Sequence, residues 1–389
     1  MTGSLRLGRV DRRTGLLFVL LFCNTFGIGA FGPLLPEIGR TQALPDWQLG
    51  LVASAFGFAR MLAAMPVGAL VARRLSATLV AAPLVLAAGL GLVLSAGPLP
   101  VLLAGRFVLG ISHTLTMVGG LTAILVETRR ASASVRLNVF EFAGMLGILG
   151  GLGFVALVPA AWGWKVSLLI VSTPALIPLL MIPALRRTFP EAALTAQDGP
   201  RVPVMSQKRE DRAVVALMFG AGIIFALTWS AASAFVVPIR GTREFGLTRT
   251  GISWLLGMAQ AIDLAALIPV GRLADRVGHG LVLGSASIML GLGTLGVGLG
   301  PFPWFALGAA CLGLGLAAWM LPLGVIRDHT PVERLAWRTG LYRVGVDAAI
   351  FLGPLMVGLL GAGGEPFFLA LTGTAAILLG ARLLLRHAR

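Results

Sequence analysis

Six ionisable side chains stand inside otherwise apolar stretches of the chain: Arg60, Arg106, Glu141, Asp263, Arg343 and Asp347. Runs of about 20 apolar residues can cross a hydrocarbon core of about 30 Å. A charge at the middle of such a run costs about 2.5–3.5 kcal/mol, so each of the six calls for a partner or a function. Three are cations and three are acids, which makes ion pairing and proton movement the available chemistry. Arg106, Gly110, His113 and Met117 recur at i, i+4, i+7 and i+11, one stripe of a helix. On that stripe His113 either relays protons near neutral pH or simply bonds a neighbouring helix. Arg343 precedes Asp347 by one helical turn, on the same face. Other chemistry is missing. Cys23 and Cys311 fall inside apolar runs, and His113, His279, His329 and His387 are scattered without ligand spacing. Neither a disulfide nor a metal site is expected. No nucleophile–base set is present, so no enzyme and no cofactor are expected. The run Gly291–Gly300 lies in an apolar stretch with no lysine, which excludes a phosphate loop.

The elements that hold these groups follow from composition. Of 389 residues, 57% are hydrophobic and only 12% charged, with a mean hydropathy of +0.91. Soluble chains sit near 25% charged, so the solvent here is largely lipid. Transmembrane strands would alternate polar and apolar residues over about 10 positions, and these runs do not. The fold class is therefore all-α, a polytopic membrane protein. The first run, Leu16–Pro36, is too long for a signal peptide and reads as an uncleaved helix. Further spans are expected at 47–71, 78–97, 99–125, 136–158, 164–184, 213–238, 248–270, 280–299, 303–326, 338–361 and 365–385, twelve in all. The net charge of +15 sits in short clusters between spans, which argues against nucleic acid. With both termini cytoplasmic, nearly all flanking arginines fall on the cytoplasmic side. Only Arg40, Lys165, Arg240, Arg243 and Arg249 fall on the other. Trp47, Trp164, Trp304 and Trp337 lie at span ends, as an interfacial belt requires. The connection 185–212 carries Pro190, Pro200 and Pro203 and reads as a cytoplasmic linker between bundles at 1–184 and 213–389.

The two bundles repeat one another. The stretch Pro66-Val67-Gly68-Ala69-Leu70-Val71-Ala72-Arg73 returns at an offset of 203 as Pro269-Val270-Gly271-Arg272-Leu273-Ala274-Asp275-Arg276. The same offset makes Arg60 and Asp263 equivalent. Glu141 and Asp347 stand at matching places before Gly147 and Gly353. Repeated halves are a mark of secondary transporters, with the substrate site between them near mid-membrane.

Gly271-Arg272-Leu273-Ala274-Asp275-Arg276-Val277-Gly278-His279 resembles the loop signature of the major facilitator superfamily. There it joins helices 2 and 3, and again 8 and 9. In the first copy Ala72 replaces the acid and Leu75 the second glycine, so the resemblance puts the stronger cytoplasmic latch in the second half, on Gly271, Asp275, Arg276 and Gly278. Arg106-Phe107-Val108-Leu109-Gly110 is similar to the family's helix-4 motif, whose arginine is associated with proton coupling. Gly144, Gly147, Gly150, Gly151 and Gly153 resemble the glycine-rich helix 5 of twelve-helix drug–proton antiporters, with Gly147 where the proline usually falls. The resemblance implies two pseudo-symmetric six-helix bundles. It packs helix 2 on helix 11 and helix 5 on helix 8. At matching depth this pairs Arg60 with Asp347, a pair that Arg343 can share. It also brings Glu141 near Asp263, where the two either share a proton or are hydrogen-bonded separately in a wet vestibule. Helices 1, 4, 7 and 10 line the family's cavity, which implies cavity positions for Asn24, Phe26, Phe31, Arg106, His113, Trp229, Trp319 and Met320. The implied function is alternating access by a monomer in the cell membrane, exporting small amphipathic organic compounds against protons. The alternative is uptake of a small anionic metabolite held by Arg60, Arg106 and Arg343. Nitrate-type members, however, place arginines in helices 2 and 8, and helix 8 here carries Asp263. A sugar site would need more amides than Asn24 and Gln260, and no loop is long enough for a sensor domain.

Overall fold

The structure, a computed structural model, describes residues 12–127, 130–189 and 212–387. Among these residues it is helical, with short turns and no strand. The helices are α1 (Arg12–Thr41), α2 (Asp46–Leu94), α3 (Leu99–Glu127), α4 (Arg130–Leu157), α5 (Gly163–Val171), α6 (Leu176–Thr188), α7 (Arg212–Ala231), α8 (Val237–Arg243), α9 (Arg249–Val277), α10 (His279–Leu299), α11 (Phe302–Leu316), α12 (Leu321–Asp328) and α13 (Val332–His387). Counting continuous runs, ten helices among the described residues are long and apolar enough to cross a membrane. Most of the expected linker, with Arg201, Lys208 and Arg209, lies outside the described residues, as do Arg6, Arg9 and Arg129.

Two elements are longer than any bilayer. Straight, the 49 residues of α2 would reach about 74 Å. The helix breaks at Arg74 (φ −145, ψ 63) and folds back, so that both of its limbs lie on α3. Gly110 meets the Phe56 carbonyl from the first limb, and Gly89 meets Leu109 from the second. The 56 residues of α13 break at Gly361, whose φ of 60° suits glycine. Its first limb packs on α2 through Pro354 and Gly358 against Gly50, and its second on α10 through Gly380 against Gly284.

Several expected boundaries move. The span expected to end at 238 continues to Arg243 through a π-turn at Ala232–Val236, which takes up the extra residue ahead of Pro238. Arg240 and Arg243, expected in a loop, therefore sit on a helix. A 3₁₀ turn at Thr173–Ala175, around Pro174, divides the span 164–184, and the turn 317–320 separates α11 from α12. Trp47, Trp304 and Trp337 are exposed as an interfacial belt needs, whereas Trp164 is 2% exposed. It donates its Nε1 hydrogen to Thr41 Oγ1 at 2.8 Å and packs in the core instead.

Several contacts among the described residues join residues 12–189 to residues 212–387. Gly57 packs against the Ile350–Phe351 backbone, and the Phe58 and Phe351 rings lie 5.0 Å apart. Further contacts run toward the C-terminal end of α1 and the N-terminal end of α9. Toward the end that carries Arg12 and His387, α2 and α9 turn apolar side chains outward, as lipid-facing positions do: Met65 is 65% and Ile268 55% exposed. The bonds that join the two parts at the C-terminal end of α1 and the N-terminal end of α9 close the molecule at that end.

Candidate functional site

Between the two parts lies a central cavity of about 180 Å³. Its wall is apolar and aromatic, with Phe31 from α1, Phe56 from α2, Trp229 from α7 and Leu256 from α9. Arg60, Arg106, His113, Ser230, Ser233 and Gln260 are its polar members. Arg106 is 6% exposed, and its guanidinium lies 3.7 Å from the Phe31 ring centroid and 5.3 Å from that of Phe56. Its Nε donates to the Val52 carbonyl at 3.3 Å, and no carboxylate among the described residues pairs with it. The aromatic faces hold the cation in an apolar wall.

A second cavity of about 210 Å³ adjoins the first and shares Arg60, His113, Trp229 and Gln260 with it. Here the acidic groups collect: Glu141 from α4, Asp263 from α9 and Asp347 from α13, together with Arg343 and Trp319. Arg60 Nη2 lies 2.6 Å from Asp347 Oδ1, the expected ion pair between α2 and α13. Arg343 does not share it: the guanidinium lines the cavity one turn away, with no carboxylate within ion-pair reach among the described residues. Neutralising either partner of the pair alone strands a charge, at about 3–5 kcal/mol. Arg60→Met and Asp347→Asn should each lower the melting temperature further than the double variant does, whereas additive losses would mean that the two do not interact.

The closed end is fastened by two more pairs. Arg249 grips both oxygens of Glu37, with Nε–Oε1 at 2.8 Å and Nη2–Oε2 at 2.6 Å. Its Nη1 donates to Ser167 Oγ at 2.6 Å and to the Val158 carbonyl at 3.4 Å. Arg243 is bidentate to Asp46 at 3.0 and 2.6 Å in a more exposed place. All of these contacts join residues 12–189 to residues 212–387.

The profile of the Major Facilitator Superfamily matches residues 17–238 and again 217–389, which together span nearly the whole chain. The chain belongs to the major facilitator superfamily. It is a multi-pass membrane transporter and not an enzyme. Similar solved folds include a POT peptide transporter in complex with sulfate, at 13% identity and a TM-score of 0.74, covering 96% of this chain and 94% of that one. A POT family transporter in complex with 5-aminolevulinic acid aligns at 15% identity and a TM-score of 0.76, covering 96% of each chain. One in complex with a thioalcohol-conjugated peptide aligns at 14% and 0.77, again with 96% of each covered. At these identities the likeness is one of fold. Curated protein sequences give no match.

On this major facilitator fold the sequence-derived residues separate into three groups. Phe31, Arg60, Arg106, His113 and Trp229 line the central cavity, and Glu141, Asp263, Trp319, Met320, Arg343 and Asp347 line the second. Asn24 lies behind the wall, donating to Ser112 Oγ at 2.9 Å. Phe26 misses both cavities: it is 8% exposed and packs on Gly150 and Gly151 of α4, because α1 and α4 approach too closely to leave an opening there. The glycine-rich α4 makes that approach possible. A Cβ at Gly147 would meet Thr25 Oγ1 and the Phe22 carbonyl, and Gly353 sits in the same way under Ser230 of α7. Of the loop motif, Asp275 and Arg276 are exposed, and Gly278 takes φ 99° between α9 and α10, a turn that glycine allows. Glu141 and Asp263 face one cavity, and the partner of Asp263 is the Gln260 amide at 3.1 Å.

Proposed function

We propose that this transporter works by alternating access and exports small amphipathic organic compounds in exchange for protons. The architecture behind this reading is two six-helix bundles of twelve spans. In that count α2 and α13 contribute two spans each, and α5–α6, α7–α8 and α11–α12 one each. The bundles correspond to 1–184 and 213–389, with 185–212 between them. In the cell membrane, Lys and Arg flanks support cytoplasmic termini, so the end fastened by Arg249 and Glu37 faces away from the cytoplasm. The observation that carries the reading is the pairing of an apolar, aromatic chamber with an adjoining acidic one at the inter-bundle seam. The first suits apolar ligands, and the second can carry the proton. The loop motif on Gly271, Asp275, Arg276 and Gly278 latches the cytoplasmic face when that face closes during the cycle.

The test is a compound screen in everted vesicles with a pH-sensitive dye. Proton release from the acidified lumen on adding a substrate marks an antiporter, and substrates that never move protons would refute the coupling. Arg106→Ala should lower coupled transport at least about tenfold, the loss of about one charge-assisted contact, while the protein still reaches the membrane. Transport with the normal pH dependence in that variant would remove Arg106 from the mechanism.

One observation favours a second reading, uptake of a small anion. The Arg106 guanidinium has no carboxylate partner among the described residues, so a substrate anion could supply one. Arg60 is already committed to Asp347. Saturable uptake of organic anions with the proton gradient, and none outward against it, would select this reading.

A further inference from the structure

Three buried groups decide which chemical form His113 presents to the central cavity. Ser112 Oγ donates its only hydrogen to the Ala82 carbonyl at 2.8 Å. Toward Asn24, 2.9 Å away, that oxygen can then only accept, so the Asn24 amide turns its Nδ2 hydrogen to Ser112. The opposite amide atom, Oδ1, therefore faces His113 Nδ1 at 3.0 Å and accepts from it. The imidazole is thus fixed with its hydrogen on Nδ1. The ring is 9% exposed, tilted on Phe56 with centroids 5.5 Å apart. Stranding a charge at such a place is costly, so the ring is neutral and Nε2 carries a lone pair. No described residue bonds to Nε2, and the ring lines both cavities where they join. An acceptor with no partner among the described residues, on a ring nine-tenths buried at a cavity wall, is placed to take a donor from the ligand.

The charge around it narrows the ligand further. The central cavity is lined by two arginines, Arg60 and Arg106, and by no acidic residue among those described. An ammonium or phosphonium ligand would meet Arg106 with no anion between them, while a neutral aromatic fits Phe31, Phe56 and Trp229.

We propose that His113 Nε2 is a specificity-determining acceptor for an N–H or O–H group on an aromatic substrate without net positive charge, of the phenol or indole type, and that Asn24 and Ser112 are positioning residues that fix its tautomer. The proposal rests on the transport reading above in so far as the central cavity is the substrate site, and it narrows "amphipathic" by excluding lipophilic cations.

The tautomer is read without ligand, from magic-angle-spinning ¹⁵N spectra of histidine-labelled protein in lipid, with His113→Gln to assign the signal. A protonated Nδ1 and a bare Nε2 are expected, while a bare Nδ1 or a doubly protonated ring overturns the proposal. Asn24→Leu should release the tautomer into a mixture. A single tautomer that persists in the Asn24→Leu variant removes Asn24 from the role.

Binding is read with indole, phenol and 2-naphthol against 1-methylindole, anisole and 2-methoxynaphthalene. The donors should bind about 3–10-fold more tightly than their methylated partners, the worth of one buried hydrogen bond, and should shift the Nε2 signal. His113→Leu should bring each pair level. Equal affinities in the unmodified protein, binding by no donor at all, or displacement of indole by tetraphenylphosphonium overturns the proposal. Proton flux in vesicles is measured separately. A preference for donors without coupled flux would end the antiport reading and leave this one standing.

Discussion

Glu37→Gln is expected to open the closed end of the transporter. The Arg249 side chain is 1% exposed, and Glu37 supplies its only carboxylate among the described residues. With that removed, the cation keeps Ser167 and the Val158 carbonyl but no counter-charge, at a cost of about 3–5 kcal/mol. Each of these partners lies in residues 12–189, so the cost falls on the conformation in which the two parts touch here. A conformation that separates them lets Arg249 reach water. If the closed form leads by a few kcal/mol, removing that much brings the alternative to substantial occupancy. Asp46→Asn is the control, because Arg243 is half exposed and its pair should contribute no more than about 1 kcal/mol.

The measurement uses a Ser233→Cys reporter on the cavity wall, in a background lacking Cys23 and Cys311. A membrane-impermeant maleimide is applied from the face opposite the termini. Labelling should rise by up to about 100-fold in Glu37→Gln and by no more than a few-fold in Asp46→Asn. Adding Arg249→Leu should return much of the lost thermal stability, since no stranded cation remains. Equal labelling in the two single variants would show that the buried pair does not hold this end.

The contrast between these pairs marks how far sequence alone reaches. Arg60 and Asp347 were legible because an ion inside an apolar run is costly enough to announce itself, and the repeat supplied matching depths. Glu37 and Arg249 carry no such signal. They lie 212 positions apart at the ends of spans, where charges are ordinary, and Arg249 reads there as an orientation signal. Its burial comes from the docking of α9 on α1 and α5, a relation between elements and not a property of any one. Trp164 and Phe26 fail in the same way. A tryptophan at a span end suits an interface, and a phenylalanine on helix 1 suits a cavity, until close packing encloses both. The Asn24–Ser112–His113 chain shows the opposite case. Residue type picked out Asn24 and His113, but only the direction of the Ser112 hydrogen says which ring nitrogen meets the cavity.

Neutralising the two cavity acids together is expected to abolish proton-driven transport while sparing substrate binding. Asp263 is 1% exposed, with one oxygen held by the Gln260 amide and the other buried without a partner among the described residues. No arginine among the described residues pairs with it, so an ionised state needs a rearrangement that brings water or charge. Glu141 faces the same chamber, which Arg343, in no ion pair among the described residues, also lines. A proton passed between these acids as the seam between α4 and α9 opens and closes would be carried once per cycle. That seam is tied to the gate: Thr250 of α9 bonds the Ala156 carbonyl of α4 one residue from Arg249. The Glu141→Gln, Asp263→Asn variant should therefore bind substrate within about a factor of three of the parent, since no acid among the described residues lines the central cavity and a change of that size is about 0.7 kcal/mol. It should equilibrate substrate across the vesicle membrane yet fail to accumulate it on a pH gradient. Asp263→Asn alone should come nearer to this limit than Glu141→Gln, because Asp263 is the more deeply buried of the two acids. Uphill transport by the double variant, with the proton stoichiometry of the parent, would place the coupling site elsewhere in the fold.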